Sequence, residues 1–263
     1  MSFNYSKNKS IGFENVNRNK KFEKELNAKP QIRKTGTTIC GAVFKNGVIL
    51  GSDTRATSSS VVANKETVKI EYLADSIACA GAGTSADCSN VRKIMCSKLE
   101  LLKMATKTQP RVAAAKRLIQ RHLFEYQGYV SAYLIVGGAD FTGGHLYDIS
   151  ATGAVFKVPF IADGSGCLAA MSMLEAGFRD DMEELEAIEL VCKAVKAGIN
   201  NDLGSGSNVD IHVLTTDGAK VLKGYFRTES GTVEIDSPVI PVGSTRVLGN
   251  EEILRESAVA MAD

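Results

Sequence analysis

The order in which strand-forming runs alternate with pairs of helical segments constrains this 263-residue chain more than any single motif does. Thr37–Phe44 and Val48–Asp53 are apolar, β-branched runs on either side of Asn46-Gly47. That dipeptide favours positive φ at both residues and predicts a tight two-residue hairpin turn. Val61 to Tyr72 alternates loosely, as one or two short strands, and Ile77–Gly83 is an apolar run of small residues. Helical spacing follows over Asp87–Ala105, and again in a segment with Pro110 in its first turn that runs to about Gln127. Strands are predicted at Tyr129–Gly137, Leu146–Ile149 and Ala154–Phe160, then a tight turn at Asp163-Gly164-Ser165-Gly166. Helices are predicted over Cys167–Gly177 and Asp180–Asn200, and a second hairpin over Val209–Leu214 and Val221–Tyr225 around Asp217-Gly218. Strands interrupted twice by helix pairs fit two sheets packed face to face with helices outside, an α+β architecture.

The globular pattern starts abruptly at Thr37. Residues 1–36 are polar and lack sustained periodicity beyond a short helical stretch near Lys20–Leu26. They hold nine Lys/Arg and three Asp/Glu, against 22 and 27 in the rest, so a leader of charge +6 precedes a body of −5. Threonine suits a strand start for steric reasons alone. A cut between Gly36 and Thr37 would give it a second meaning. Thr37 would then carry a free α-amine beside its own hydroxyl, which is an N-terminal nucleophile with an adjacent base.

Several function classes are disfavoured. The whole-chain charge of +1 argues against nucleic-acid binding. No apolar run reaches the roughly 20 residues that span a bilayer, and no secretory signal pattern precedes the body. The six cysteines form no C-x-x-C pair and have no zinc spacing, so reduced thiols and no metal are expected. There is no G-x-S-x-G elbow, P-loop, H-E-x-x-H or complete G-x-G-x-x-G. His122, His145 and His212 lack triad context and read as structural.

What remains is a set of turns placed in a fixed order. Thr35-Gly36-Thr37-Thr38-Ile39, Gly51-Ser52-Asp53-Thr54-Arg55-Ala56-Thr57, Lys69, Gly81-Ala82-Gly83-Thr84, Tyr126-Gln127-Gly128-Tyr129, Gly164-Ser165-Gly166 and Asn201-Asp202-Leu203-Gly204-Ser205-Gly206-Ser207-Asn208 together resemble the catalytic β subunits of the eukaryotic proteasome core particle. Within that family they look most like the beta-2, trypsin-like subtype. The resemblance runs from about Thr35 to Tyr225. It implies an N-terminal nucleophile hydrolase with a four-layer αββα sandwich and threonine endopeptidase activity on unfolded polypeptide. It implies a zymogen whose residues 1–36 are removed by the same threonine, a protease domain over 37–226, and a C-terminal arm over 227–263 that contacts a neighbouring subunit. The implied partners are other α and β subunits in heptameric rings of a four-ring barrel. The implied location is cytoplasm and nucleus, with no cofactor, no nucleic acid and no membrane.

The resemblance also implies roles. Thr37 would be nucleophile and, through its α-amine, base. Lys69 would lower the hydroxyl's pKa, and Asp53 would hold that lysine charged. Ser165, Asp202 and Ser205 would fix the amine, and the Gly83 N–H would serve the oxyanion. The substrate pocket would involve Ala56, Thr57, Thr67, Glu71, Gly81, Ser85 and Ser89, with Gly36 and Thr37 forming the processing site. Departures from the family lie in that pocket. Ser89 and Asn64 stand where acids are usual, and Glu71 where a histidine is, while Asp87 is retained nearby. Loss of pocket carboxylates implies a reduced or altered preference for basic residues at the cleavage site.

Overall fold

In a computed structural model, residues 35–58 and 61–228 are described. The leader helix near Lys20–Leu26 and the C-terminal arm lie outside them. Among the described residues twelve strands and four helices follow one another: β1 (Thr38–Phe44), β2 (Gly47–Asp53), β3 (Ala56–Ser58), β4 (Val61–Asn64), β5 (Ile70–Ala74), β6 (Ile77–Gly83), α1 (Ser85–Thr106), α2 (Val112–Tyr126), β7 (Ala132–Asp140), β8 (Gly143–Ile149), β9 (Val155–Lys157), β10 (Phe160–Gly164), α3 (Cys167–Gly177), α4 (Glu184–Asn201), β11 (Asn208–Thr215) and β12 (Gly218–Arg227).

Ten of the strands form two five-stranded sheets, ordered β10-β1-β2-β11-β12 and β5-β6-β7-β8-β9, and β3 pairs only with β4. Period-2 alternation sends successive side chains to opposite faces, and three apolar cores result. Cys40, Ala42, Ile49, Ile211 and Val213 face α3 and α4, packing on Leu174, Val191 and Val195. Ile39, Leu50 and Leu214 face the other sheet, meeting Ala78, Ala80, Ile135 and Leu146. Cys79, Leu134 and Val136 face α1 and α2, packing on Met95, Leu99 and Ile119. Three cores between four layers are the αββα sandwich expected from the order of elements. All six cysteines are free.

Four local expectations shift. The first hairpin turns on Lys45-Asn46, with Phe44 opposite Gly47, and Gly47 opens β2. Neither Asn46 nor Gly47 has positive φ. Gly47 is small for a different reason: a Cβ there would lie 2.0 Å from the Leu214 carbonyl oxygen. The second hairpin likewise pairs Thr215 with Gly218, one residue early, and Gly218 has φ +139. The run Ala154–Phe160 is two strands, not one. Val158 donates its N–H to Leu146 O of one sheet, and Pro159 O accepts from Val43 N of the other, so the chain changes sheets there. Pro110 precedes α2, whose N-cap is Arg111, rather than sitting in its first turn.

Candidate active site

The site assembles at the end of β1, where both sheets contribute. Asp53 ends β2, the neighbour of β1, so its carboxylate reaches the Thr38 N–H at 2.9 Å. Lys69 comes from the other sheet, just before β5. Its backbone is clamped by the Gly81 N–H at 3.1 Å and by Arg92 Nη1 at 2.9 Å, both donating to Lys69 O. From there Nζ donates to Asp53 Oδ1 at 2.7 Å, Thr37 Oγ1 at 3.1 Å and Gly36 O at 3.3 Å. The ammonium's three donors are thus all used.

Asp53 is fully buried. Besides Lys69 and Thr38 it accepts the N–H groups of Arg55 at 3.2 Å and Gly206 at 3.0 Å on Oδ2. A buried ion pair repays its desolvation only when the remaining lone pairs are occupied in this way. Burial lowers the Lys69 pKa below 10.5, with Asp53 pulling the other way. A cation disfavoured by its surroundings therefore lies in contact with the Thr37 hydroxyl.

Ser165, Asp202 and Ser205 meet on the opposite side of Thr37. The Thr37 N–H donates to Ser165 Oγ at 3.0 Å, and Ser165 Oγ donates to Asp202 Oδ2 at 2.5 Å. Ser205 Oγ donates to the same oxygen at 2.6 Å and lies 2.7 Å from Thr38 Oγ1, which must then be the donor of that pair. Burial raises the Asp202 pKa, but hydrogen bonds from Ser165, Ser205 and Gly204 outweigh it, and the net direction is down. The carboxylate stays an acceptor and orients both serines.

The residue before Thr37 is held equally closely. Gly36 N donates to Thr57 Oγ1 at 3.1 Å, so Thr57 grips the leader rather than lining the pocket. A Cβ on Gly36 would stand 2.1 Å from Gly204 Cα. Glycine is required at that position by the crossing of two backbones and not by a positive φ. The Gly36 carbonyl oxygen accepts from Thr37 Oγ1 at 2.7 Å and from Lys69. Gly83, expected to serve the oxyanion of a substrate, makes no hydrogen bond to this carbonyl. Gly83 lines the adjoining cavity with φ +109, where a Cβ would lie 2.6 Å from Ser131 O.

That cavity is lined by Ala56, Thr67, Gly81 and Ser85. Ser89 and Glu71 were expected in the same pocket, and Asn64 marks a further departure from the family. Ser89 and Asn64 lie outside the lining, and Asn64 instead accepts the Glu66 N–H. Glu71 is outside it too, paired with Arg92 Nη2 at 2.9 Å. The retained Asp87 accepts the Ser131 N–H at 3.0 Å. Sequence reasoning missed Arg55, Cys88 and Arg92, which do line the cavity. Cys88 and Arg92 lie one helical turn apart on α1, and a Cβ on Gly81 would be 3.1 Å from Cys88 Cβ. Their signal was a cysteine and an arginine on the buried face of an amphipathic helix, with Val91, Met95 and Leu99. Burial pushes the Cys88 thiol up to about 11, which leaves it protonated and a poor nucleophile.

A sequence profile of the proteasome subunit family matches residues 33–214. The chain is 43% identical to proteasome subunit beta type-7 of Dictyostelium discoideum over 251 residues, covering 95% of this chain and 94% of that protein. It is 41% identical to a probable proteasome subunit beta type-2 of Schizosaccharomyces pombe, covering 91% and 90%. It is 48% identical to proteasome subunit beta type-7-B of Arabidopsis thaliana over 203 residues, covering 77% and 74%.

Proposed function

The chain belongs to the proteasome subunit family, among its β-type members, and on that premise we propose that it is a catalytic β subunit of the beta-2 subtype. In this reading it is a threonine endopeptidase that cuts unfolded polypeptide after assembling with other α and β subunits of a core particle in cytoplasm and nucleus. One observation carries the catalytic reading: Thr37 Oγ1 lies 3.1 Å from a Lys69 ammonium that Asp53 holds at 2.7 Å. A structural ring member needs no buried cation on a hydroxyl, and burying one is costly.

The same geometry accounts for processing. Thr37 Oγ attacks the Gly36 carbonyl carbon, the Gly36–Thr37 C–N bond breaks, and water then hydrolyses the resulting ester. Negative charge develops on the Gly36 oxygen, where Lys69 Nζ already donates. Removal of residues 1–36 converts the Thr37 amide into an amine beside Ser165. That amine, with an unperturbed pKa of about 7.7–8.0, takes the hydroxyl proton in each later turnover. While the peptide bond is intact this base does not exist, so the uncut chain is a zymogen. The segment after 226 is proposed as an arm onto a neighbouring subunit.

Mass spectrometry of the chain in assembled particles tests the reading, before and after a peptide epoxyketone. The expected result is a mature N-terminus at Thr37 that carries the probe. An uncut, unmodified chain would favour a non-catalytic ring subunit instead.

A further inference from the structure

We propose that Arg92 is a positioning residue for the Lys69 ammonium, and that Glu71 is the anchor that holds Arg92 in place for it. This rests on the peptidase reading of Thr37 and adds two residues to the machinery of that site.

Lys69 stands where the sheet gives it little support. β5 is an edge strand with β6 as its neighbour, and its pairing begins at Ile70, opposite Ala80. Lys69 lies just outside that ladder. Its carbonyl takes the Gly81 N–H at 3.1 Å, and no further strand fixes the outer side of β5. Yet Nζ must reach Asp53 Oδ1, Thr37 Oγ1 and Gly36 O together, at 2.7, 3.1 and 3.3 Å. A small shift of the strand end breaks that set of contacts, and a misplacement of about 1 Å in a reacting site can cost roughly a hundredfold in rate.

Arg92 supplies the support from α1. It lies on the buried face of that helix and is 6% exposed. Its Nη1 donates to Lys69 O at 2.9 Å, and its Nη2 pairs with Glu71 Oε1 at 2.9 Å. One guanidinium therefore grips the chain on both sides of Ile70, whose side chain is buried in the core between the sheets. Glu71 stands opposite Cys79, which packs toward α1, so its side chain is on the face that Arg92 reaches. Three successive residues are thus pinned from two directions. The planar fork of an arginine holds its two partners at a fixed spacing, which a lysine ammonium on its flexible stem does not.

Packing alone does not account for an arginine here. Its Nε is buried without a partner among the described residues, and its charge is withdrawn from water. Both are unfavourable, and an apolar side chain of similar volume would avoid them. Glu71 is 37% exposed and needs no arginine to be solvated. What the pair provides is a fixed distance between α1 and the backbone of Lys69. The polar contacts of Arg92 are with Lys69 and Glu71, not with Thr37, so it acts on the hydroxyl through Lys69.

Assembled particles containing the processed chain are titrated with one peptide epoxyketone. Labelling of Thr37 is followed over time by mass spectrometry, which reads this chain alone and only where it has assembled. Arg92→Met should lower the maximal labelling rate about tenfold, the effect of losing a hydrogen bond from a charged donor. The probe concentration giving half that rate should stay within about twofold, because Lys69 serves the reacting hydroxyl and not the bound peptide. Arg92→Lys, which keeps a donor for Lys69 O, should recover part of the loss. Glu71→Ala should slow labelling more than Glu71→Gln, which keeps an acceptor oxygen for Nη2. An unchanged maximal rate in Arg92→Met overturns the inference. So does a change confined to the half-saturating concentration, which would make Arg92 a wall of the cavity and no more. If Arg92→Met does not assemble, the Glu71 variants decide, and equal rates in the two overturn the inference. No labelling of the unaltered chain overturns the peptidase reading itself, and this inference with it.

Discussion

Lys69 keeps its ammonium where burial works against charge, at 8% exposure, and the compensation comes from Asp53. On the proposed mechanism this sets the pH range of activity. The acid limb follows deprotonation of the processed Thr37 amine, at about 7.7–8.0 if unperturbed. The alkaline limb follows loss of the Lys69 proton. Its pKa is lowered from 10.5, so activity should turn down before pH 10.5 is reached. A rate profile on a peptide with no titrating groups measures both limbs, and activity still climbing through pH 10.5 would remove the ammonium from the mechanism. The residues that meet around Thr37 were legible only jointly, through the ordered set of motifs that resembles the family, because each alone reads as an ordinary turn or strand residue. Arg92 was missed although it shares the buried face of α1 with Val91 and Met95. An arginine in a helix ordinarily reads as a solvated residue, and only the packing of α1 against β6 turns it inward.

At the scale of elements, α4 approaches β1 through glycine. A Cβ at Gly198 would lie 2.5 Å from both Cγ2 and Oγ1 of Thr38, and one at Gly166, the N-cap of α3, 2.0 Å from the same Oγ1. Thr38 therefore fills a slot between two helices, and its hydroxyl reaches Ser205 from there. Gly198→Ala should push α4 off the sheet and cost about 1–3 kcal/mol by overpacking. It should also slow the cut at Thr37 by displacing the Ser205 contact. Thermal unfolding and the fraction of uncut chain measure the two effects, and an unchanged melting temperature would mean that the slot has slack. Helices were well placed from sequence because their 3.6-residue periodicity extends over several turns. The β9–β10 boundary was hidden, because two strands of different sheets meet at Val158-Pro159 without an intervening polar turn. Both hairpins were seen but were each placed one residue late, since their glycines open the second strand instead of occupying the turn.

For the whole molecule, the alternation of strand runs and helix pairs was enough to imply four layers, because each face of each sheet needs a partner. It did not reveal what lies between the sheets. That core is apolar except between β11 and β5, where His212 from one sheet meets Tyr72 of the other with ring centroids 5.3 Å apart. His212 is buried and its Nδ1 has no hydrogen-bond partner among the described residues. Burial lowers its pKa below 6.5, and Lys223 adds to this while Asp210 opposes it. A histidine whose folded pKa lies below its unfolded value is protonated first in the unfolded chain. Stability is therefore full above pH 6.5 and declines as pH falls from there toward the lowered folded pKa, by at most about 1.4 kcal/mol per pH unit for one group. Half-buried His122 on α2 is shifted the same way, mainly by desolvation, and adds to the slope. His212→Leu should flatten the decline in melting temperature between pH 7.5 and 5.5, whatever it does to stability at pH 7.5. If the variant and the unaltered chain lose stability in parallel over that range, the acid sensitivity lies elsewhere and the contact between the sheets is indifferent to the charge of His212.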